Sequence, residues 1–97
     1  MKHNIENEVL TLYFEGEVNS YNSEEIEKDI ESILAQKGFK SIRIDMDNLT
    51  YISSAGLRII VRIKQQCDDT VLVKVPSGVF DIFEMVGFQN LLTIERK

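Results

Sequence analysis

Ninety-seven residues, 43% of them hydrophobic, suffice for one domain with a real core, and the lone cysteine, Cys67, excludes an internal disulfide. Eleven basic against sixteen acidic residues leave a net charge of −5, which opposes a phosphate backbone and argues against general nucleic-acid binding. No apolar run approaches a membrane span, and the opening "MKHNIENEV" lacks a signal-peptide core, so the expected location is the cytoplasm.

In chain order, "EVLTLYFEGEV" alternates with period two through Leu10, Leu12 and Phe14 and reads as a strand broken at Gly16. The residues before it offer a short antiparallel partner, with the turn at Asn7–Glu8. In "NSEEIEKDIESILAQKG", Asn22 and Glu25 have the spacing of a capping box. Ile26, Ile30, Ile33 and Leu34 then line one helical face, and Gly38 is the expected stop. "FKSIRIDM" is a second strand, with Ile42, Ile44 and Met46 on one side and Arg43 and Asp45 on the other. "AGLRIIVRIKQQ" returns to helical spacing, "TVLVKV" is a strand stopped by Pro76, "SGVFDIFEMVG" is a short amphipathic helix, and "LLTIE" closes as a strand. Alternating strands and helices predict a single α/β domain over residues 1–97. Its mixed, mainly parallel sheet has four to five strands, with helices packed mostly on one face.

The hinge "YISSAGLR" joins a strand to a helix through two hydroxyls and a glycine. A helix start gathers unpaired N–H groups and the positive end of the macrodipole, so Ser53 or Ser54 serves as the cap. One cap needs one serine, and Gly56 in the first turn is costly unless another backbone or a partner approaches closely there, so it is expected to leave room for a partner's backbone. Ser54, Arg58 and Arg62 follow at i, i+4 and i+8, a basic edge on an acidic protein. A phosphate on Ser54 would meet both the helix N-terminus and Arg58. The plainer reading makes both arginines solvated surface, paired with Asp68, Asp69 or a carboxylate elsewhere.

"IDMDNLTYISSAGLRIIVRIKQ" resembles the anti-sigma factor antagonists, the bacterial members of the STAS domain family. The likeness rests on a strand of the form hydrophobic-Asp-hydrophobic, a short loop, and a Ser-Ser-Ala-Gly-Leu opening of a helix. "LYFEGEVNSYNSEEIEKDI" and "VPSGVFDIFEMVGFQNLLTI" resemble the flanking family segments, so the likeness spans nearly the whole chain. It implies the STAS fold and a non-enzymatic binding module. The implied partner is an anti-sigma factor with a serine kinase domain, bound when the antagonist is unphosphorylated. By motif position the phosphorylated residue is Ser54, and a serine phosphatase resets the switch. The implied partner surface is Asn19, Ser53, Ser54, Ala55, Gly56, Arg58 and Arg62. Ser53 and Asn19 both stand where the family commonly has an acidic residue.

Other chemistry finds little support. Ser54 as a nucleophile would need a base, and the only histidine, His3, lies in the N-terminal segment. One His and one Cys do not make a structural zinc site, and no cofactor motif appears. Cys67 reads as a small buried hydrophobe. Phe80 and Phe83 are expected to seal the sheet, whereas Met85 and Phe88 could form an exposed patch. The alternative function is a constitutive STAS accessory or scaffold subunit, for example of a lipid-transport ATPase, without phosphate turnover.

Overall fold

In the computed structural model, which describes residues 1–97, strand β1 (His3–Glu6) folds back on β2 (Val9–Tyr13) in an antiparallel hairpin. Asn7 and Glu8, at φ 53° and 64°, make the turn in the left-handed region, whose twist suits a two-residue hairpin loop. The break expected at Gly16 divides "EVLTLYFEGEV" into two strands. Phe14 and Glu15 separate β2 from β3 (Gly16–Val18), and Gly16 at φ 67° makes the bend.

Helix α1 (Ser23–Leu34) buries Ile30 and Ile33 and half-buries Ile26 and Leu34, the stripe that its spacing dictates. It stops at Leu34, before Gly38, which at φ 106° serves the turn into the next strand. In β4 (Ser41–Asp45), Ile42 and Ile44 are buried and Arg43 is exposed, so the helices cover one face of this strand. Next comes a strand that the pattern did not reveal, β5 (Leu49–Ile52), which pairs in parallel with β3. Helix α2 (Ser54–Gln66), β6 (Thr70–Val75), α3 (Ser77–Met85), a short 3₁₀ turn (Phe88–Asn90) and β7 (Thr93–Arg96) complete the chain.

The main sheet has five strands in the order β1-β2-β4-β6-β7, antiparallel at the first pair and parallel elsewhere. Each parallel neighbour is reached through a helical crossover. One continuous core joins Leu10, Leu12, Ile42, Ile44 and Leu72 of the sheet to Ile30, Ile60, Ile63 and Phe83 of the helices. The buried Thr70 hydroxyl donates to the Cys67 carbonyl at 2.6 Å, so this polar group is not left unpaired. Phe88 is buried, stacked on Phe83 at 5.3 Å between ring centroids, because the 3₁₀ turn folds it under α3. Met85 is exposed as expected, together with Val86 and Leu91. No helix is long and apolar enough to cross a membrane.

Candidate functional site

The small β3–β5 sheet sets two helix entrances side by side. Glu17 lies opposite Tyr51 and Val18 opposite Ile52, and the Ser53 N–H donates to the Val18 carbonyl at 2.8 Å. The chain therefore leaves β3 toward α1 at Asn19, next to where it leaves β5 toward α2 at Ser53. The turn before β5 is anchored from the main sheet. The Asp45 carboxylate accepts the Asp47 N–H at 3.0 Å and faces the Lys74 ammonium at 3.7 Å. Lys74 reaches it from a left-handed conformation, φ 54°, at a register irregularity between β6 and β7.

At the first entrance the expected capping box does not form. Asn22 has near-helical backbone angles and no capping bond, because its side chain is engaged elsewhere. Its Oδ1 accepts the Asn19 N–H at 2.9 Å, and its Nδ2 donates to the Glu17 carbonyl at 2.8 Å. The capping acceptor is Asn19. Its Oδ1 takes the N–H groups of Tyr21 at 2.9 Å and Asn22 at 3.2 Å, one turn ahead of α1. The Asn19 carbonyl also accepts the Ser23 N–H at 3.0 Å, which carries the turn into the helix. Both residues are suitable caps by type, and the bonds of Asn22 to Asn19 and Glu17 leave the capping to Asn19.

At the second entrance the two serines divide their roles. Ser53 has extended backbone, φ −93° and ψ 175°, and its Oγ accepts the Gly56 N–H at 3.4 Å. Ser54 is the first helical residue, and its exposed hydroxyl has no hydrogen-bond partner within the protein. Ala55 is half-buried. Gly56 is buried, and the close approach expected from a partner's backbone is made inside this chain. A Cβ there would stand 2.6 Å from Ile52 Cγ1 and 2.8 Å from Val18 Cγ1. Gly56 is therefore a packing residue beneath the site, inaccessible to a partner.

The basic edge also divides. Arg58 is exposed and forms no ion pair, whereas the Arg62 guanidinium binds the Glu27 carboxylate of α1. That hydrogen bond, with the charge of Glu27 behind it, raises the Arg62 pKa above its ordinary value. Arg62 thus ties α2 to α1, and Arg58 is the cation left free beside Ser54. Two exposed rings border the entrances: Tyr21, 96% exposed, follows Asn19 by two residues, and Tyr51, 45% exposed, precedes Ser53 by two. Neither ring belongs to an apolar stripe, so periodicity does not single them out. His3 is exposed on the β1 edge strand, where its ring lies 3.5 Å from the Gln36 side chain. Cys67 is half-buried at the end of α2, with its thiol 3.5 Å from the Lys40 carbonyl.

A family model of the STAS domain matches residues 2–97. BtrV, a candidate anti-sigma factor antagonist of Bordetella bronchiseptica, is 31% identical over 90 residues, 89% of this chain and 77% of that protein. The fold is similar to that of a candidate anti-sigma factor antagonist of Thermotoga maritima, with a TM-score of 0.87 at 20% identity. That likeness covers 99% of this chain and 86% of the other. The anti-sigma factor antagonist SpoIIAA is similar in its unphosphorylated form, with a TM-score of 0.74 at 17% identity over 96% of this chain and 87% of that one. Its phosphorylated form from Bacillus gives 0.66 at 16% identity, over 96% and 90%.

Proposed function

The chain belongs to the STAS domain family, among the anti-sigma factor antagonists, and on that premise we propose that it is a phosphorylation-switched binding module. Without phosphate on Ser54 it binds an anti-sigma factor that carries a serine kinase domain, and phosphorylation at Ser54 ends the binding. A serine phosphatase restores the bound state. The observation that carries this reading is the division of labour at the α2 entrance. Ser53 caps the helix, so the Ser54 hydroxyl is exposed, unbonded and free to accept a phosphoryl group.

The surroundings fit both states of such a switch. A phosphoserine there would carry a charge of about −2 near pH 7, beside the α2 N-terminus and one turn from Arg58. Those groups tolerate the dianion within this chain, so its effect falls on whatever docks there. A partner surface fitted to a neutral hydroxyl would meet a bulky, desolvated charge. Asn19, Ser53, Ala55 and Arg58 complete the surface we assign to the partner, while Gly56 packs beneath it and Arg62 ties α2 to α1 through Glu27.

Incubation with the organism's anti-sigma kinase and ATP, followed by peptide mass mapping, tests the reading. One phosphate on Ser54, absent from Ser54→Ala, is the expected result. A bound kinase that leaves every residue unmodified over many hours would overturn the switch.

A further inference from the structure

Resting on that reading, the hydrogen bonding of Asn19 says what kind of group the partner brings to it. The side-chain oxygen is fully occupied, accepting Tyr21 N–H at 2.9 Å and Asn22 N–H at 3.2 Å. These two bonds also fix which way the amide is turned, because a backbone N–H cannot be satisfied by an amide nitrogen. The backbone N–H of Asn19 is held by Asn22 Oδ1 at 2.9 Å, and its carbonyl accepts Ser23 N–H at 3.0 Å. The one polar group of Asn19 without a partner in this chain is the Nδ2 amino group, a donor. Asn19 is half-buried at the end of β3, where Val18 O receives the Ser53 N–H. Asn19 therefore borders the Ser53–Ser54 entrance, and its free donor is not fully buried.

We propose that Asn19 meets the partner as a hydrogen-bond donor and so selects a partner that places an acceptor oxygen there, a backbone carbonyl or a carboxylate. A carboxylate at residue 19 would keep both capping bonds and invert this preference. One oxygen would still take the two N–H groups, and the other would face outward as an anion that accepts but cannot donate. Asn19→Asp therefore changes recognition without removing the cap. Its added negative charge at the start of α1 also suits the helix dipole.

The test is the affinity of the purified anti-sigma factor of the same organism for the unmodified chain, Asn19→Asp and Ser54→Asp, with thermal unfolding of each alongside. Asn19→Asp is expected to unfold no earlier than the parent and to bind about tenfold or more weakly. A loss that shrinks with added salt identifies a carboxylate on the partner, and a loss that persists identifies a carbonyl. Asn19→Asp binding equally well or more tightly, while Ser54→Asp abolishes binding, overturns the donor assignment and leaves the switch standing. Ser54→Asp binding like the parent overturns the switch and this inference with it.

Discussion

Ser53 and Val18 are joined by a backbone hydrogen bond of 2.8 Å that locks the end of β5 to the end of β3. Everything proposed for this surface depends on that junction. It brings together two helix entrances that are more than thirty residues apart in the chain, and it gives each entrance a capping residue. Because Ser53 and Asn19 do the capping, the Ser54 hydroxyl and the Asn19 amino group are left without a partner in this chain, and neither is fully buried.

The two serines should separate cleanly under mutation. Ser53→Ala removes the acceptor for Gly56 N–H and should cost about 0.5–1 kcal/mol, the lower part of the range for a lost cap, since the bond is long. Ser54→Ala removes no bond within the protein and should change stability by less than about 0.5 kcal/mol. Urea unfolding midpoints of the two variants check this. A larger loss for Ser54→Ala would reverse the assignment of cap and free hydroxyl.

Gly56→Ala should destabilise the fold despite the better helix propensity of alanine. That propensity favours the substitution by about 1 kcal/mol. The new methyl would lie 2.6 Å from Ile52 and 2.8 Å from Val18, an overpacking strain of about 1–3 kcal/mol. The net is a loss of up to about 2 kcal/mol, read as a lower urea midpoint. An unchanged midpoint would show that β3 and β5 yield easily and that Gly56 has another purpose.

At the α1 entrance, Asn22→Ala should destabilise by about 1 kcal/mol, because it breaks the bonds to Asn19 N–H and the Glu17 carbonyl. Glu25→Ala should stay within about 0.5 kcal/mol, since Glu25 holds no capping bond. A capping box would have made these two variants comparable. Thermal unfolding at one pH distinguishes the outcomes.

The two arginines should differ in binding. Arg58→Glu should weaken the anti-sigma factor complex at least severalfold, because it reverses the free cation beside Ser54. Arg62→Ala should leave affinity near the parent value, because Glu27 already occupies its guanidinium. Titration calorimetry of both variants against the same partner reads the difference. Equal losses would mean that the Arg62–Glu27 pair opens on binding.

Most of the main sheet and all three helices were legible in the sequence, because their periodicity is local and long enough to read. The Asn7–Glu8 turn was legible for the same reason, lying between two short alternating segments. Strand β5 was not, since its four residues bury only Leu49 and Ile52 and its pairing with β3 is non-local. At the candidate site the sequence singles out residues but not the neighbours that occupy them. That Asn19 rather than Asn22 caps, that Gly56 packs on Val18, and that Arg62 belongs to Glu27 all depend on side chains brought in from other elements. The Ser53–Ser54 question was open in the sequence for a similar reason. Either serine could cap, and the Val18–Ser53 bond fixes where extended backbone ends and helix begins.

The most direct measurement is the affinity of the purified anti-sigma factor for two forms of this chain, one unmodified and one carrying phosphoserine at Ser54. The unmodified chain should bind, and the phosphorylated chain should bind at least about a hundredfold more weakly while unfolding at a similar temperature. Equal affinity of the two forms would contradict the switch at Ser54.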